Sequence, residues 1–211
     1  MSLDWIKEAE EHWDGLFRTE GGTGQQAAIL LPLVRDRDGQ AAILFEHRAK
    51  DLDVQPDEVC FPGGGIEPGE TPREAAVRET CEELRIRPEQ IRVFGSFDGL
   101  EDRAVTTIYT FAGTLEAYEG SYAPEEVDHV FTVPVDWLLS HEPEVYGTVL
   151  TTIPDEDFPF DRIPGGRQYP WRKRRTEVWF YQYGDETIWG LTARILHTFL
   201  KRLPEIEKSL K

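Results

Sequence analysis

Cysteine, methionine, histidine and positive charge are all scarce here. The 211 residues include two Cys, one Met and five His, and 23 Lys and Arg face 40 Asp and Glu. Cys60 and Cys81 are too few for a disulfide framework, and nothing marks them as metal ligands. No histidine has a partner visible in the sequence. A formal charge of −17 repels nucleic acid and anionic lipid, so neither is expected as a partner. The same charge repels a polyanionic small molecule unless a bound cation reverses the local sign. No run of about 18 apolar residues occurs, so no membrane span is expected. The opening MSLDWIKEAEEHWDGLF lacks a basic start and an uninterrupted apolar run, so no signal peptide is expected. The final SLK is not the peroxisomal Ser-Lys-Leu address. A cytoplasmic enzyme or binding protein fits these absences.

What is present suits a folded domain. Apolar residues make up 39% and aromatics 11% of the chain, a globular composition. The length predicts one domain over 1–211. Trp5, Ala9, Trp13 and Leu16 recur at helical spacing, predicting an amphipathic helix over 1–20. QQAAILLPLV and QAAILFEHR flank an Asp38-Gly39 turn and read as a hairpin. EVCF, IRVFGSF, TTIYTFAGTL, HVFTVPV and EVWFYQY are further strand candidates. Residues 150–175, rich in Pro, Gly, Asp and Arg, read as a long loop. WGLTARILHTFLKRL reads as a closing amphipathic helix. Strands, a central helix, more strands and a last helix imply an α+β sandwich with a mixed sheet.

The densest signal is GGGIEPGETPREAAVRETCEEL. Thr71 can cap a helix, Pro72 suits its first position, and Glu74 completes a capping box. On a helical wheel Val77, Thr80, Cys81 and Leu84 share one face, while Glu79, Glu82 and Glu83 fall on roughly the opposite side. Like charges at these spacings cost the isolated helix about 0.2–0.5 kcal/mol per pair. Glu74 can pair with Arg78, which leaves the trio without a basic partner in the helix. A hard divalent cation relieves it, since carboxylate oxygens are what Mg²⁺ and Mn²⁺ prefer. The preceding glycines let the backbone approach a ligand closely.

Gly64, five residues, Glu70, seven residues, Arg78-Glu79, two residues, Glu82-Glu83: this segment, 64–86, resembles the Nudix box. Thr80 departs from the usual aliphatic residue, and Arg85 from the usual glycine, which should deny the helix its left-handed cap. The resemblance implies an α/β/α sandwich and metal-dependent hydrolysis of nucleoside diphosphates linked to another group. It implies Glu79, Glu82 and Glu83 as ligands of Mg²⁺ or Mn²⁺, with the Gly63 carbonyl as a further one, and Arg78 with Glu70 as the pair orienting them. Glu125 and Glu126 resemble the loop glutamate that often serves as general base, and Glu126, followed by Val, matches better.

Upstream, LFEHRAKDLDVQPDEVCFPGGG resembles the added signature of coenzyme A pyrophosphatases at Leu44, Arg48, Ala49 and Phe61 to Gly64. Asp53 replaces an arginine of that signature, and Asp57 a glycine. The resemblance implies cleavage of coenzyme A or a derivative to 4′-phosphopantetheine and adenosine 3′,5′-bisphosphate, with Arg48, Phe61 and Gly64 contacting substrate. Arg174 and Arg175, in the basic run WRKRR, are candidates for a ribose 3′-phosphate. Hydrolysis of ADP-ribose or another nucleoside diphosphate derivative is the alternative. A Nudix domain that senses nucleotides without turnover fits less well, because all three glutamates are kept. The tryptophans are expected in the core rather than against a base. A homodimer is left open.

Overall fold

The computed structural model describes residues 25–102 and 106–209, so the helix expected over 1–20 lies outside the described residues. A seven-stranded sheet forms the centre. β1 (Gln25–Arg35) and β2 (Ala41–Arg48) pair antiparallel around a turn in which Asp36 Oδ1 accepts the amides of Asp38 and Gln40. Gly39, at φ 76°, completes the turn, as Asp38-Gly39 predicts. β3 (Val59–Cys60) and β7 (Val127–Pro134) pair with β2. On β1 sit β4 (Gly63–Gly65) and β6 (Thr106–Leu115), the latter parallel to it, and β5 (Ile91–Asp102) closes that edge against β6.

Alternation along β1 and β2 builds two cores. Leu30, Ala42 and Leu44 pack under α1 (Pro72–Leu84) against Ala75, Ala76 and Leu84. Leu31, Leu33, Ile43 and Phe45 face the opposite way, against Ile195, Leu196 and Phe199 of α3 (Gly190–Ser209). Helix, sheet and helix thus form the expected layers. A short α2 (Val135–Ser140) follows β7.

A second sheet departs from expectation. β8 (Glu144–Thr151), β9 (Lys173–Tyr183) and β10 (Glu186–Trp189) form three antiparallel strands. The predicted loop over 150–175 is therefore shorter: Leu150 pairs with Arg174 and Val149 with Arg175 inside the β8–β9 ladder. Every residue of β8 is exposed. A strand that buries neither face lacks the apolar alternation by which strands are recognised. Among the described residues no helix is long and apolar enough to cross a membrane.

Candidate active site

α1 starts as its sequence dictates. Thr71 Oγ1 accepts the Glu74 amide, and the Glu74 carboxylate accepts the Thr71 amide at 2.8 Å. Glu74 is thereby committed to the cap, and Arg78 turns elsewhere. Its Nε and Nη2 donate to the two oxygens of Glu70 at 3.0 and 3.1 Å, Nη2 also donates to the Gly65 carbonyl, and Nη1 reaches Glu79 at 2.9 Å and Glu82 at 3.3 Å. The expected Glu74–Arg78 pair is replaced by this fork, and a basic residue of the helix does relieve Glu79 and Glu82. A planar guanidinium with five donors can serve three carboxylates at once. Its hydrogen bonds hold Glu70 below the ordinary carboxylate range.

Glu83 corrects the helical-wheel reading. It is 3% exposed and lies on the inner face with Ala76 and Thr80, whereas Val77 and Cys81 are only half-buried. Thr80 is satisfied there by donating to the Ala76 carbonyl at 2.7 Å. Burial is the main force pushing the Glu83 pKa up to about 8, opposed by the Gly63 amide that donates to Oε2 at 2.8 Å and reinforced by the charge of Glu79. The Gly63 amide is thereby tied to the cluster.

Two further groups share this interior. Glu46, on β2, is 1% exposed, and its Oε1 has no hydrogen-bond partner. Burial first, and the charge of Glu83 second, drive its pKa well up. Burial, with Glu46 and Glu83, also pushes up the Cys60 thiol, so Cys60 is held protonated. The sequence concealed Glu46 inside the apolar run ILFEHR, where a single acid reads as an edge residue. Only its burial beside Glu83 marks it.

The loop before β7 is tied to α1. The Ala123 amide donates to the Glu83 carbonyl, and Ser121 Oγ to the Leu84 carbonyl. Glu125 forks away to Arg85, with Nη2 2.6 and 2.9 Å from its oxygens. Glu126 instead lies close enough for its charge to raise Glu46, Glu79 and Glu83. Arg85 itself takes φ 51° and ψ 47° and donates its amide to the Cys81 carbonyl, so the left-handed cap is kept without a glycine.

A NUDIX domain model matches residues 24–151. The chain belongs to the Nudix family. It is 29% identical over 187 residues to Nudix hydrolase 3 of Caenorhabditis elegans, covering 86% of this chain and 75% of that protein. It is 34% identical over 137 residues to the peroxisomal coenzyme A diphosphatase NUDT7 of Mus musculus, covering 62% of this chain and 55% of that one. Among solved structures, a MutT/nudix family protein from Enterococcus faecalis aligns over 95% of this chain and 70% of its own, with a TM-score of 0.52 and 16% identity. That likeness bears on the fold alone. As a Nudix hydrolase, the chain acts on phosphoric anhydrides.

Beside the carboxylates, this Nudix chain has a cavity of about 740 Å³ lined by Arg48, Phe61, Gly63, Gly64, Trp189 and Leu191 among others. Arg48, Phe61 and Gly64 therefore come together as expected. Phe61 is also a core residue, stacked on Phe45 at 5.0 Å. Arg48 Nε is buried without a partner. Arg174 and Arg175 are not brought to this cavity: both line separate clefts along β8 and β9. Trp189 was expected in the core, yet it is 40% exposed, stacks on Phe180, and borders the cavity.

The donors here suit a hard divalent cation. Glu79, Glu82, Glu83, Glu46 and Glu126 offer oxygen only, and Glu46 Oε1 is a buried acceptor with nothing to accept. Burial, and next the Arg78 hydrogen bond opposing it, set Glu79, whose pKa remains raised. Carboxylates that raise one another lack positive charge that Arg78 and Arg48 do not supply.

Proposed function

We propose that this Nudix hydrolase cleaves the diphosphate of coenzyme A or an acyl derivative, releasing 4′-phosphopantetheine and adenosine 3′,5′-bisphosphate. The hydrolytic part rests on one observation: α1, β2 and the loop before β7 direct Glu79, Glu83, Glu46 and Glu126 into one region beside a cavity that holds Arg48. Glu79, Glu82 and Glu83 would hold Mg²⁺ or Mn²⁺. When bound, such an ion neutralises diphosphate charge and lowers the pKa of water. Glu126 takes the proton from the attacking water, because it belongs to the cluster and its neighbour Glu125 is occupied by Arg85. Arg78 and Glu70 keep Glu79 and Glu82 in place. The Arg48 guanidinium, which lines the cavity, meets a phosphate oxygen of the substrate.

Coenzyme A as the substrate is supported by the likeness to the mouse diphosphatase and by Leu44, Arg48, Ala49 and Phe61 to Gly64. Asp57 also fits: it takes φ 61°, the left-handed conformation that suits the glycine of the resembling signature. Trp189 offers its exposed face to the adenine, since base stacking on an aromatic contributes about 1–3 kcal/mol. The 3′-phosphate has no support from Arg174 and Arg175, which line other clefts. ADP-ribose, which lacks that phosphate, is therefore the second reading.

Product analysis with Mg²⁺ or Mn²⁺ decides, using coenzyme A, acetyl-coenzyme A, ADP-ribose, NADH and a diadenosine polyphosphate. Coenzyme A should give the highest kcat/KM. A preference for ADP-ribose transfers the reading to the second substrate, and no turnover of any compound refutes both.

A further inference from the structure

A second cluster of titratable groups lies where the two sheets meet, and the hydrolytic chemistry does not use it. His47 on β2 places Nδ1 3.0 Å from Glu186 Oε2, and His129 on β7 places Nε2 2.7 Å from Glu186 Oε1 on β10. The imidazole centroids are 4.7 Å apart. One ligand atom from each of the three residues lies within 4.8 Å of the others.

The outer nitrogens are held as well. His47 Nε2 is 3.1 Å from Asp57 Oδ1, and His129 Nδ1 is 2.8 Å from Asp128 Oδ2. Each ring therefore stands between two carboxylates. When the imidazoles are neutral, the outer carboxylate keeps the proton on its side, and the inner nitrogen points a lone pair at another carboxylate. Two arrangements resolve that repulsion. Both rings can be protonated, which stacks two cations 4.7 Å apart, or one divalent ion can sit between two neutral rings and Glu186. The second supplies the same charge without the repulsion, and a carboxylate on the far nitrogen is how metal-binding histidines are oriented.

Position and donor type separate this cluster from the Mg²⁺ ligands. Glu46 and His47 are adjacent on β2 and so point to opposite faces of the sheet. Glu46 joins the carboxylates under α1, while His47 meets β10. Two imidazoles with one carboxylate select zinc-like ions rather than Mg²⁺. Bonds of 2.0–2.1 Å in a tetrahedron place ligand atoms about 3.3 Å apart. The ring nitrogens, now 2.7 and 3.0 Å from different oxygens of Glu186 and with all three ligand atoms within 4.8 Å of one another, reach a shared ion by side-chain shifts alone. Asp57 belongs to this chain in particular, replacing the glycine of the resembling signature.

We propose that His47, His129 and Glu186 bind one zinc-class transition-metal ion, oriented by Asp57 and Asp128, that clasps the three-stranded sheet to the seven-stranded one. The fourth position is left to water.

The test uses the whole chain, stripped of metal and held in excess Mg²⁺ to occupy the carboxylate cluster. Titrated with Co²⁺, it should show one equivalent of four-coordinate visible absorption that Zn²⁺ displaces. Calorimetry with Zn²⁺ should give the same stoichiometry. His129→Ala and His47→Ala should abolish both signals, Glu82→Gln should keep them, and Asp57→Gly should weaken binding about 10–100-fold. In the unaltered protein, Zn²⁺ should shift the imidazole NMR signals of two of the five histidines, a readout that does not depend on any variant folding. The proposal is overturned if no stoichiometric binding occurs in Mg²⁺, if the imidazoles do not shift, or if Glu82→Gln removes binding, which would locate the ion at the hydrolytic cluster.

Discussion

The Glu79 carboxylate lies against Gly64: a Cβ built on that glycine would come within 2.5 Å of Glu79 Cδ. Its neighbour differs, since a Cβ on Gly63 would meet the backbone of Ala28 and Ile29 on β1. One glycine makes room for a movable side chain and the other for a fixed strand.

Gly64→Ala should therefore spare the fold and injure the chemistry. Glu79 can swing away, and a displacement of about 1 Å in a ligand costs on the order of 10²-fold in kcat. Gly63→Ala should instead lose about 3 kcal/mol of stability through overpacking and strain at φ 151°. Thermal melts beside steady-state kinetics separate the two. Equal melting temperatures for both variants would refute the distinction.

Glu83→Gln should remove most turnover and yet raise the stability of the metal-free protein near neutral pH, because the folded state no longer has to hold a carboxyl of 3% exposure protonated above its ordinary pKa. Differential scanning calorimetry with and without Mg²⁺ reads both effects. The increase in melting temperature on adding Mg²⁺ should shrink in the variant.

The metal-free protein should lose stability as pH rises from 4.5 to about 8, the interval between the ordinary and the folded pKa of Glu83. The folded state holds that proton more tightly than the unfolded chain. The advantage is complete below 4.5 and is gone once pH passes the folded value. Melting curves in EDTA should show the decline, and Glu83→Gln should flatten it. Parallel profiles for parent and variant would show that Glu83 does not titrate in this interval.

Glu126→Gln should lower kcat by about 10²–10⁴-fold if the residue is the base. Glu125→Gln should change kcat and KM by no more than about twofold, since its exposed pair with Arg85 is worth at most about 1 kcal/mol. Similar losses in both variants would remove Glu126 from the role.

Trp189→Ala should raise KM about 5–160-fold, the equivalent of 1–3 kcal/mol of stacking, with kcat little changed. A substrate lacking the base should be indifferent to the substitution.

How much could be read beforehand follows the range of the forces involved. The Thr71–Glu74 cap, the Asp38-Gly39 turn and the order of strands and helices all depend on neighbours in sequence or on short repeating periods. Those survive in one dimension. The Arg78–Glu70 pair came only with the Nudix resemblance, spacing alone having favoured Glu74. Glu83's burial did not, because a helical wheel shows which residues share a face but not which face meets the sheet. β8 hid because it buries nothing, and Arg85's left-handed cap because a cost of about 1–2 kcal/mol can be outweighed by packing elsewhere.

The sequence by itself determined the helix that carries the carboxylates, the strands that hold it, and the membership these imply. Only the tertiary structure decided that Glu46 joins Glu83, that Glu125 is taken up by Arg85, that Arg174 and Arg175 lie elsewhere, and that His47 meets His129 and Glu186. Each of those placements depends on residues far apart in the chain. Charge and burial act through space, so their partners are known only when the sheet has closed.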